Sequence, residues 1–539
     1  MRKEWLARLD QARIDAHVAA GTWHNVVMSD VVRSLADRAV SPLAAIDGDH
    51  QLSYRDIWSD AVRLASALGA RGLRPGDVVS FQLPNWHEVM VINVAACMAG
   101  LVCNPIVPIY RDSEVEFILR DSGAKALFIP DSFRSMNYID MVERIRPGLP
   151  DLAHVILVRS AHDDYEDFAA LIADQRELMD FTPPSPNAAK LLMYTSGTTG
   201  KPKGVVHTHN TLWSETIAVR DFWAVSDTDR IFMASPVTHI TGYIYGLELA
   251  AAGGIPTVFM DKWEADRAID LIRRHRATFT VAATPFLVEL ARSAKAHDEP
   301  LESMRLFACG GAPVAPELII EATRILKNCR AARVYGSTEA PTVSPGILPT
   351  DDPQRGAHTD GRMVNSEVRI VDAAGNIVAP GGEGEICVRG PEVMIGYADP
   401  AANADAFDSD GFFRTGDLGV LDGEGFLTIT GRKKDLIIRG GENISPKEIE
   451  DCLMAHPDIK EASVVAAPHA RLGETVMAYL IAEGERLLTL QEVAGHLDRL
   501  GLAKQKLPEF IEYLPDFPRT ASGKVKKNVL RDQARQERR

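Results

Sequence analysis

The sequence predicts an α/β protein: a large, multi-lobed N-terminal domain with βαβ sheets and a β-rich subdomain, followed by a small α+β C-terminal domain. Three observations carry this reading. From residue 52 onward, helical stretches such as 54–70 alternate with short apolar runs such as 78–83 and 126–129 that end in Pro or Gly turns. That rhythm is the mark of βαβ units and mostly parallel sheet. After about residue 362 the pattern shifts to shorter strands with glycine-rich turns at Gly375, Gly381-Gly382, Gly423 and Gly425, as a small β-rich subdomain requires. After Gly431 it shifts again. Ser445-Pro446-Lys447-Glu448 offers an N-cap, a proline at the first helical position and a capping-box glutamate, and Thr489 with Glu492 repeats the capping signal. Strand-like runs at 462–467 and 477–482 complete an α+β unit of roughly a hundred residues.

A chain of 539 residues exceeds what one hydrophobic core serves, and apolar residues at 46% suffice to fill several. The formal charge of -15 argues against a nucleic-acid or anionic-membrane partner, because phosphate-rich surfaces demand a basic patch. Cys97, Cys103, Cys309, Cys329, Cys387 and Cys452 are scattered, with no C-x-x-C pair, and read as reduced thiols. Residues 1–20 carry charges throughout and no apolar signal-peptide stretch, and the C-terminal Gln-Glu-Arg-Arg adds no targeting signal. The longest apolar region, 89–109, is interrupted by Asn93, Gly100, Asn104 and Pro105, so it reads as a buried helix running into a buried strand rather than a membrane span. A cytoplasmic location is expected.

The densest chemistry lies in Thr195-Ser196-Gly197-Thr198-Thr199-Gly200-Lys201-Pro202-Lys203-Gly204, which follows directly on the apolar run 190–194. Glycines let the backbone approach a ligand, hydroxyls and amide N–H groups can ring phosphate oxygens, and lysines add charge. It is not a Walker loop: the spacing is G-x-x-G-K, and Pro202 stands where that motif needs Ser or Thr. Taken alone, such a tract is as readily a surface loop.

Residues 194–204 closely resemble the phosphate-loop signature of the adenylate-forming superfamily, which comprises acyl-CoA synthetases, peptide-synthetase adenylation domains and luciferases. The family's other motifs appear in order. Tyr335-Gly336-Ser337-Thr338-Glu339 resembles the adenine and magnesium motif, and Arg414-Thr415-Gly416-Asp417 the ribose motif. Gly431-Arg432-Lys433-Lys434-Asp435 resembles the hinge, and Pro518-Arg519-Thr520-Ala521-Ser522-Gly523-Lys524 the catalytic-lysine loop. Singly, Asp417 is a turn residue, Tyr335 a packed aromatic, and Glu339 and Lys524 solvated charges; five matches in order over residues 194–524 outweigh those readings together.

The resemblance implies specific roles. Residues 195–201 would hold the β and γ phosphates of ATP, and Glu339 would hold Mg²⁺, a cation that prefers hard oxygen ligands. Tyr335 would stack on adenine beside Gly310-Gly311-Ala312-Pro313, and Asp417 would accept hydrogen bonds from both ribose hydroxyls with Arg432 nearby. Lys524 would bridge the acid's carboxylate and the α-phosphate as a mobile cation. A second step needs a thiol, expected to be free coenzyme A in place of a carrier-protein phosphopantetheine, so one site serves two reactions. The family rotates its C-terminal domain for this purpose, which divides the chain into an AMP-binding domain, 1–433, and a mobile domain, 434–539, hinged at Lys434. Gly440-Gly441 would admit the pantetheine arm, a reading compatible with a hairpin turn.

Ser235-Pro236-Val237-Thr238-His239 matches the family's segment that ends in a gating histidine beside the reacting carboxylate. Ile240, Thr241, Gly242, Tyr243, Gly246, Thr284 and Gly310 would then line the acyl pocket. Ile240 stands where dihydroxybenzoate-activating relatives carry Asn, and no aspartate near Thr238 is available for an α-amino group. An apolar acid remains. With Trp23-His24-Asn25 and Asn85-Trp86-His87, the chain looks most like cyclohexanecarboxylate and medium-size acyl-CoA ligases. The expected partners are therefore a small carboxylic acid, ATP, Mg²⁺ and coenzyme A, in a monomer or homodimer. The alternatives are loading of an aryl or fatty acid onto a carrier protein, luciferase-like oxidation, and a non-catalytic nucleotide-binding protein, which would predict damage at Lys524, Glu339 or Asp417.

Overall fold

Two parallel-rich sheets face each other across a layer of helices in the computed structural model, which describes residues 3–173, 179–195, 202–311, 314, 316–520 and 523–537. The eight-stranded sheet runs in the order Gly396–Tyr397, Lys203–Thr208, Ala189–Thr195, Val102–Pro105, Val78–Phe81, Ala124–Ile129, His154–Leu157 and Glu166–Asp167. Its pairs are parallel from Ala189–Thr195 onward and antiparallel at the Lys203–Thr208 end. The seven-stranded sheet runs Arg330–Val334, Leu306–Gly310, Phe279–Ala283, Ile231–Met233, Thr257–Phe259, Leu43–Asp47 and His50–Ser53, parallel except for its last pair.

The helix Glu88–Ala99 explains why the sheets can pack so closely. It is apolar on every face, as the region 89–109 predicted, because it lies in the core shared by Val79 and Phe81 of one sheet and Ile231 and Phe279 of the other. Strands such as Val78–Phe81 are buried on both faces and so read as continuous apolar runs. Within this core Lys190 and Glu248 form an ion pair at 2.6 Å with side chains 2% and 1% exposed, and the Asn93 amide donates to the other Glu248 oxygen at 2.9 Å. Lys190→Met leaves that carboxylate buried with one neutral donor, and is expected to cost about 3–5 kcal/mol of stability. The urea midpoint checks this, and a loss below about 1 kcal/mol would mean the pair is dispensable.

A five-stranded antiparallel sheet follows, in the order Gly361–Arg362, Phe426–Arg432, Phe413–Leu421, Glu383–Arg389 and Glu367–Val371. Its central hairpin sets Asp417 directly opposite Arg432. The C-terminal sheet joins Glu442–Ile444, Ile437–Arg439, Gly473–Ala482 and Ile459–His469, with Phe510–Tyr513 added parallel to Gly473–Ala482. It has apolar clusters of its own, one built on Ile449, Leu453, Val493 and Leu497 and another on Met477, Phe517 and Leu530.

The helix Pro446–Met454 starts where its proline predicts, but no capping box forms there. The Ser445 hydroxyl donates instead to the Thr430 carbonyl at 2.6 Å and Glu448 pairs with Lys506, because tertiary partners outcompete the local cap. At Leu490–Arg499 the predicted box of Thr489 and Glu492 is formed. No helix among the described residues is long and apolar enough to cross a membrane.

Candidate active site

The candidate residues come from the carboxyl ends of strands, where open α/β sheets present their functional groups. Thr195 ends Ala189–Thr195, Gly310 and Gly311 end Leu306–Gly310, Tyr335 follows Arg330–Val334, and Thr284 follows Phe279–Ala283. Ser196, Gly197, Thr198, Thr199, Gly200 and Lys201 of the glycine-rich loop, and Ala312 and Pro313, lie outside the described residues. A β-carbon at Gly310 would meet the Val334 carbonyl at 2.3 Å, so only glycine fits between these strand ends.

Tyr335, Asp417 and Arg432 form one unit. The Tyr335 hydroxyl donates to Asp417 Oδ2 at 2.8 Å and Arg432 Nε donates to Oδ1 at 2.7 Å. Both Tyr335 and Asp417 are buried, Arg432 is half-exposed, and burial together with the Asp417 charge holds the phenol well above its usual pKa, so it stays a donor. Glu339 lies farther along the same segment that follows Arg330–Val334, partly exposed, its Oε1 accepting from the Tyr397 hydroxyl at 2.9 Å. Two further contacts fix that segment: Met394 N–H donates to the Glu339 carbonyl at 2.8 Å, and His207 Nε2 bonds the Thr338 carbonyl at 2.8 Å. Between them Ser337 N–H donates to the Ala340 carbonyl at 2.8 Å, and at Gly336 a β-carbon would stand 1.8 Å from the Pro341 carbonyl.

Lys524 reaches this cleft from the C-terminal sheet's side of the molecule. Its loop is closed by the Thr520 N–H to Lys524 carbonyl bond at 2.7 Å and the Lys524 N–H to Thr520 Oγ1 bond at 3.1 Å. A β-carbon at Gly311, whose φ is +81°, would meet Lys524 Cε at 2.9 Å. Burial and the Arg432 charge push the Lys524 ammonium down to about 8, against the pull of Asp417 and Glu339. His239 is pushed down to about 3 by burial and by Lys524, so it is neutral at physiological pH. Thr241 N–H donates to His239 Nδ1 at 3.4 Å, which leaves the ring proton on Nε2.

The stretch 240–253 begins on His239 as its N-cap and carries a π-helical turn, Ile244–Glu248, between α-helical segments Ile240–Tyr243 and Leu249–Gly253. Such turns are frequent at functional sites. Ile240 and Tyr243 are buried, Thr241 is partly exposed and Thr284 nearly buried. Gly242 and Gly246 serve close packing: a β-carbon would stand 2.2 Å from the Pro236 carbonyl in the first case and 3.0 Å from Met233 Cγ in the second. Gly440-Gly441 is the hairpin turn between Ile437–Arg439 and Glu442–Ile444, with φ of 61° and 93°. Two positive φ values in succession are what a two-residue hairpin of this type requires. Lys434 sits in the single turn Lys433–Asp435, and the next residue, Asp435, pairs with Arg531 at 2.8 Å.

One potential metal cluster lies elsewhere among the described residues, at Asp47, His87 and Glu88. Arg159 already occupies it, bonding Glu88 at 2.7 and 2.8 Å and pairing with Asp47. Sequence reasoning missed Tyr397 and His207, which support Glu339 and Thr338. Nothing in the sequence marks Tyr397, whereas His207, set directly after the apolar pair Val205-Val206, carried a faint signal.

Comparison with known proteins bears on this arrangement directly. The AMP-binding enzyme family matches residues 33–398, and the AMP-binding enzyme C-terminal domain matches residues 448–524. The medium-chain fatty-acid–CoA ligase of Escherichia coli (strain K12) is 34% identical over 531 residues, covering 97% of this chain and 93% of that one. The salicyl-AMP ligase / salicyl-S-ArCP synthetase of Mycobacterium tuberculosis is 33% identical over 532 residues, with coverage of 96% and 92%. Among solved structures, ATP-bound MatB from Rhodopseudomonas palustris superposes with a TM-score of 0.86 at 29% identity, over 95% of this chain and 100% of that one. A match over most of its length, together with the shared two-part architecture, establishes that the chain belongs to the AMP-binding enzymes of the adenylate-forming superfamily.

Proposed function

We propose that this enzyme joins an apolar medium-chain or cyclic carboxylic acid, such as a cyclohexanecarboxylate-like acid, to coenzyme A. The reaction class is that of its family: ATP-dependent acid–thiol ligation with AMP as a product. In the first step a carboxylate oxygen attacks the α-phosphorus of ATP and the bond to pyrophosphate breaks. In the second the thiol sulfur attacks the acyl carbonyl, its proton is lost, and the bond to AMP breaks.

The observation that carries this reading is the convergence of Lys524, His239, Glu339 and Asp417 on one cleft, with Lys524 against Gly311. A cation on a flexible stem can follow charge as it develops on the α-phosphate. Neutral His239 beside it can admit a carboxylate without forming an ion pair that would hold it back. The Glu339 carboxylate, partly exposed and beside the Tyr397 hydroxyl, offers the hard oxygen donors that suit Mg²⁺. When bound, that ion neutralises charge on the leaving pyrophosphate. Asp417, whose two oxygens can accept further bonds beside those from Tyr335 and Arg432, would accept from the ribose hydroxyls, and Tyr335 would offer its ring to adenine. Rotation about Lys434, with 1–433 and 434–539 as the moving bodies, would then bring the Gly440-Gly441 turn to the site for thiol entry.

Buried Ile240 and Tyr243 support an apolar acid, as does the medium-chain specificity that the E. coli relative's name declares. The M. tuberculosis relative, named for loading salicylate onto a carrier protein, favours the carrier as the second reading. Pyrophosphate release across C4 to C12 fatty acids, cyclohexanecarboxylate, benzoate and salicylate separates the two, with and without coenzyme A. Thioester formation with free coenzyme A and an aliphatic or cyclic acid is expected. Adenylate that coenzyme A fails to discharge would transfer the assignment to a carrier protein.

A further inference from the structure

Asn85 lies in the connection between Val78–Phe81 of the eight-stranded sheet and the helix Glu88–Ala99, yet every bond of its side chain goes to the other sheet. Its Nδ2 donates to the Met233 carbonyl at 3.2 Å and the Ser235 carbonyl at 2.9 Å, and its Oδ1 accepts from Val237 N–H at 2.9 Å. Both donors and the acceptor of a buried carboxamide are thus used on one short loop. That loop leads from Ile231–Met233 straight into His239, whose own N–H donates to the Pro236 carbonyl at 2.9 Å. A second tie, Ser235 Oγ to the Val281 carbonyl at 3.0 Å, holds the same residues to the neighbouring strand. Asn85 is itself held from the side: the next residue but one, His87, donates its N–H to Asp47 Oδ2 and bonds the same oxygen through Nδ1, both at 3.0 Å, and Arg159 clamps Asp47 and Glu88.

We propose that Asn85 is a positioning residue for the acid site, acting through His239: its carboxamide sets the loop 234–239 between the two sheets and thereby fixes where the imidazole stands. The inference rests on the reading of His239 as the group beside the carboxylate. Asparagine is the residue type the geometry demands. Aspartate keeps the bond from Val237 but loses both donors and sets a carboxylate against two carbonyls, and alanine loses all three bonds.

Four variants test this: Asn85→Ala, Asn85→Asp, His239→Ala and the Asn85→Ala/His239→Ala double, assayed by acid-dependent ATP–pyrophosphate exchange alongside thermal unfolding. Asn85→Ala is expected to lower kcat/KM for the acid by about 10- to 100-fold, the scale of an ångström-level misplacement. KM for ATP should move by less than about twofold, because the nucleotide's groups lie on other strand ends. The double variant should lose no more than His239→Ala alone, since two residues acting as one unit are not additive. Additive losses, or equal rises in KM for acid and ATP, would overturn the proposal. An unchanged acid kcat/KM in His239→Ala would overturn the reading beneath it, whatever Asn85 does. Should Asn85→Ala prove unstable, Asn85→Ser, which keeps a small hydroxyl and buries no charge, carries the same comparison.

Discussion

Alanine in place of Lys524 is expected to slow acyl-adenylate formation by about 100- to 1000-fold, the usual consequence of removing one group aimed at developing transition-state charge. Thiolysis of a preformed acyl adenylate should change far less, because no phosphoryl charge develops there. Pre-steady-state quenching with and without coenzyme A separates the two half-reactions, and equal losses in both would sink the assignment. The same residue gives a pH signature. Its ammonium is the active form, and with the folded value at about 8 it is charged below that pH and neutral above it. The kcat/KM profile, which reports the free enzyme, should therefore fall as pH rises through about 8. Lys524→Arg should abolish this alkaline limb, since a guanidinium stays charged, at reduced rate because the planar fork cannot act as a point charge. An unaltered limb in Lys524→Arg would assign the titration to another group.

Asp417→Ala is expected to weaken nucleotide binding by about 100-fold or more. Hydrogen bonds to a charged group are worth about 1.5–3 kcal/mol each, so losing the acceptor for two ribose hydroxyls passes that factor. The substitution also strands partners, because Tyr335 and Arg432 both donate to this carboxylate at 2.8 and 2.7 Å. Calorimetric titration with AMP, without acid, reads the effect directly. Asp417→Asn should fall between, since it keeps one acceptor oxygen but loses the charge that Arg432 faces. Unchanged AMP affinity in Asp417→Ala would remove Asp417 from the nucleotide site.

How far the sequence carried depends on whether a feature is local. Short continuous apolar runs marked the strands Val78–Phe81 and Ala124–Ile129, and helical periodicity marked Tyr54–Ala70, within a residue or two, because core burial imposes those patterns on consecutive residues. The capping box at Thr489 was legible for the same reason: both partners lie within one turn. Its twin at Ser445 was not realised, because the Thr430 carbonyl, distant in sequence, competes for the hydroxyl.

Ordered motifs alone determined that the chain belongs to the adenylate-forming enzymes, and they named Lys524, Asp417, Glu339, Tyr335 and His239. Only the tertiary structure decided what surrounds them: Tyr397 on Glu339, His207 on Thr338, Tyr335 and Arg432 sharing one carboxylate, and Asn85 reaching across from the opposite sheet. Motif residues are specified by the chemistry of the ligand, which is written in residue type and spacing. Their supports are specified by which strand ends meet, and a hydrogen bond between residues 85 and 237 leaves no periodic trace in a linear chain.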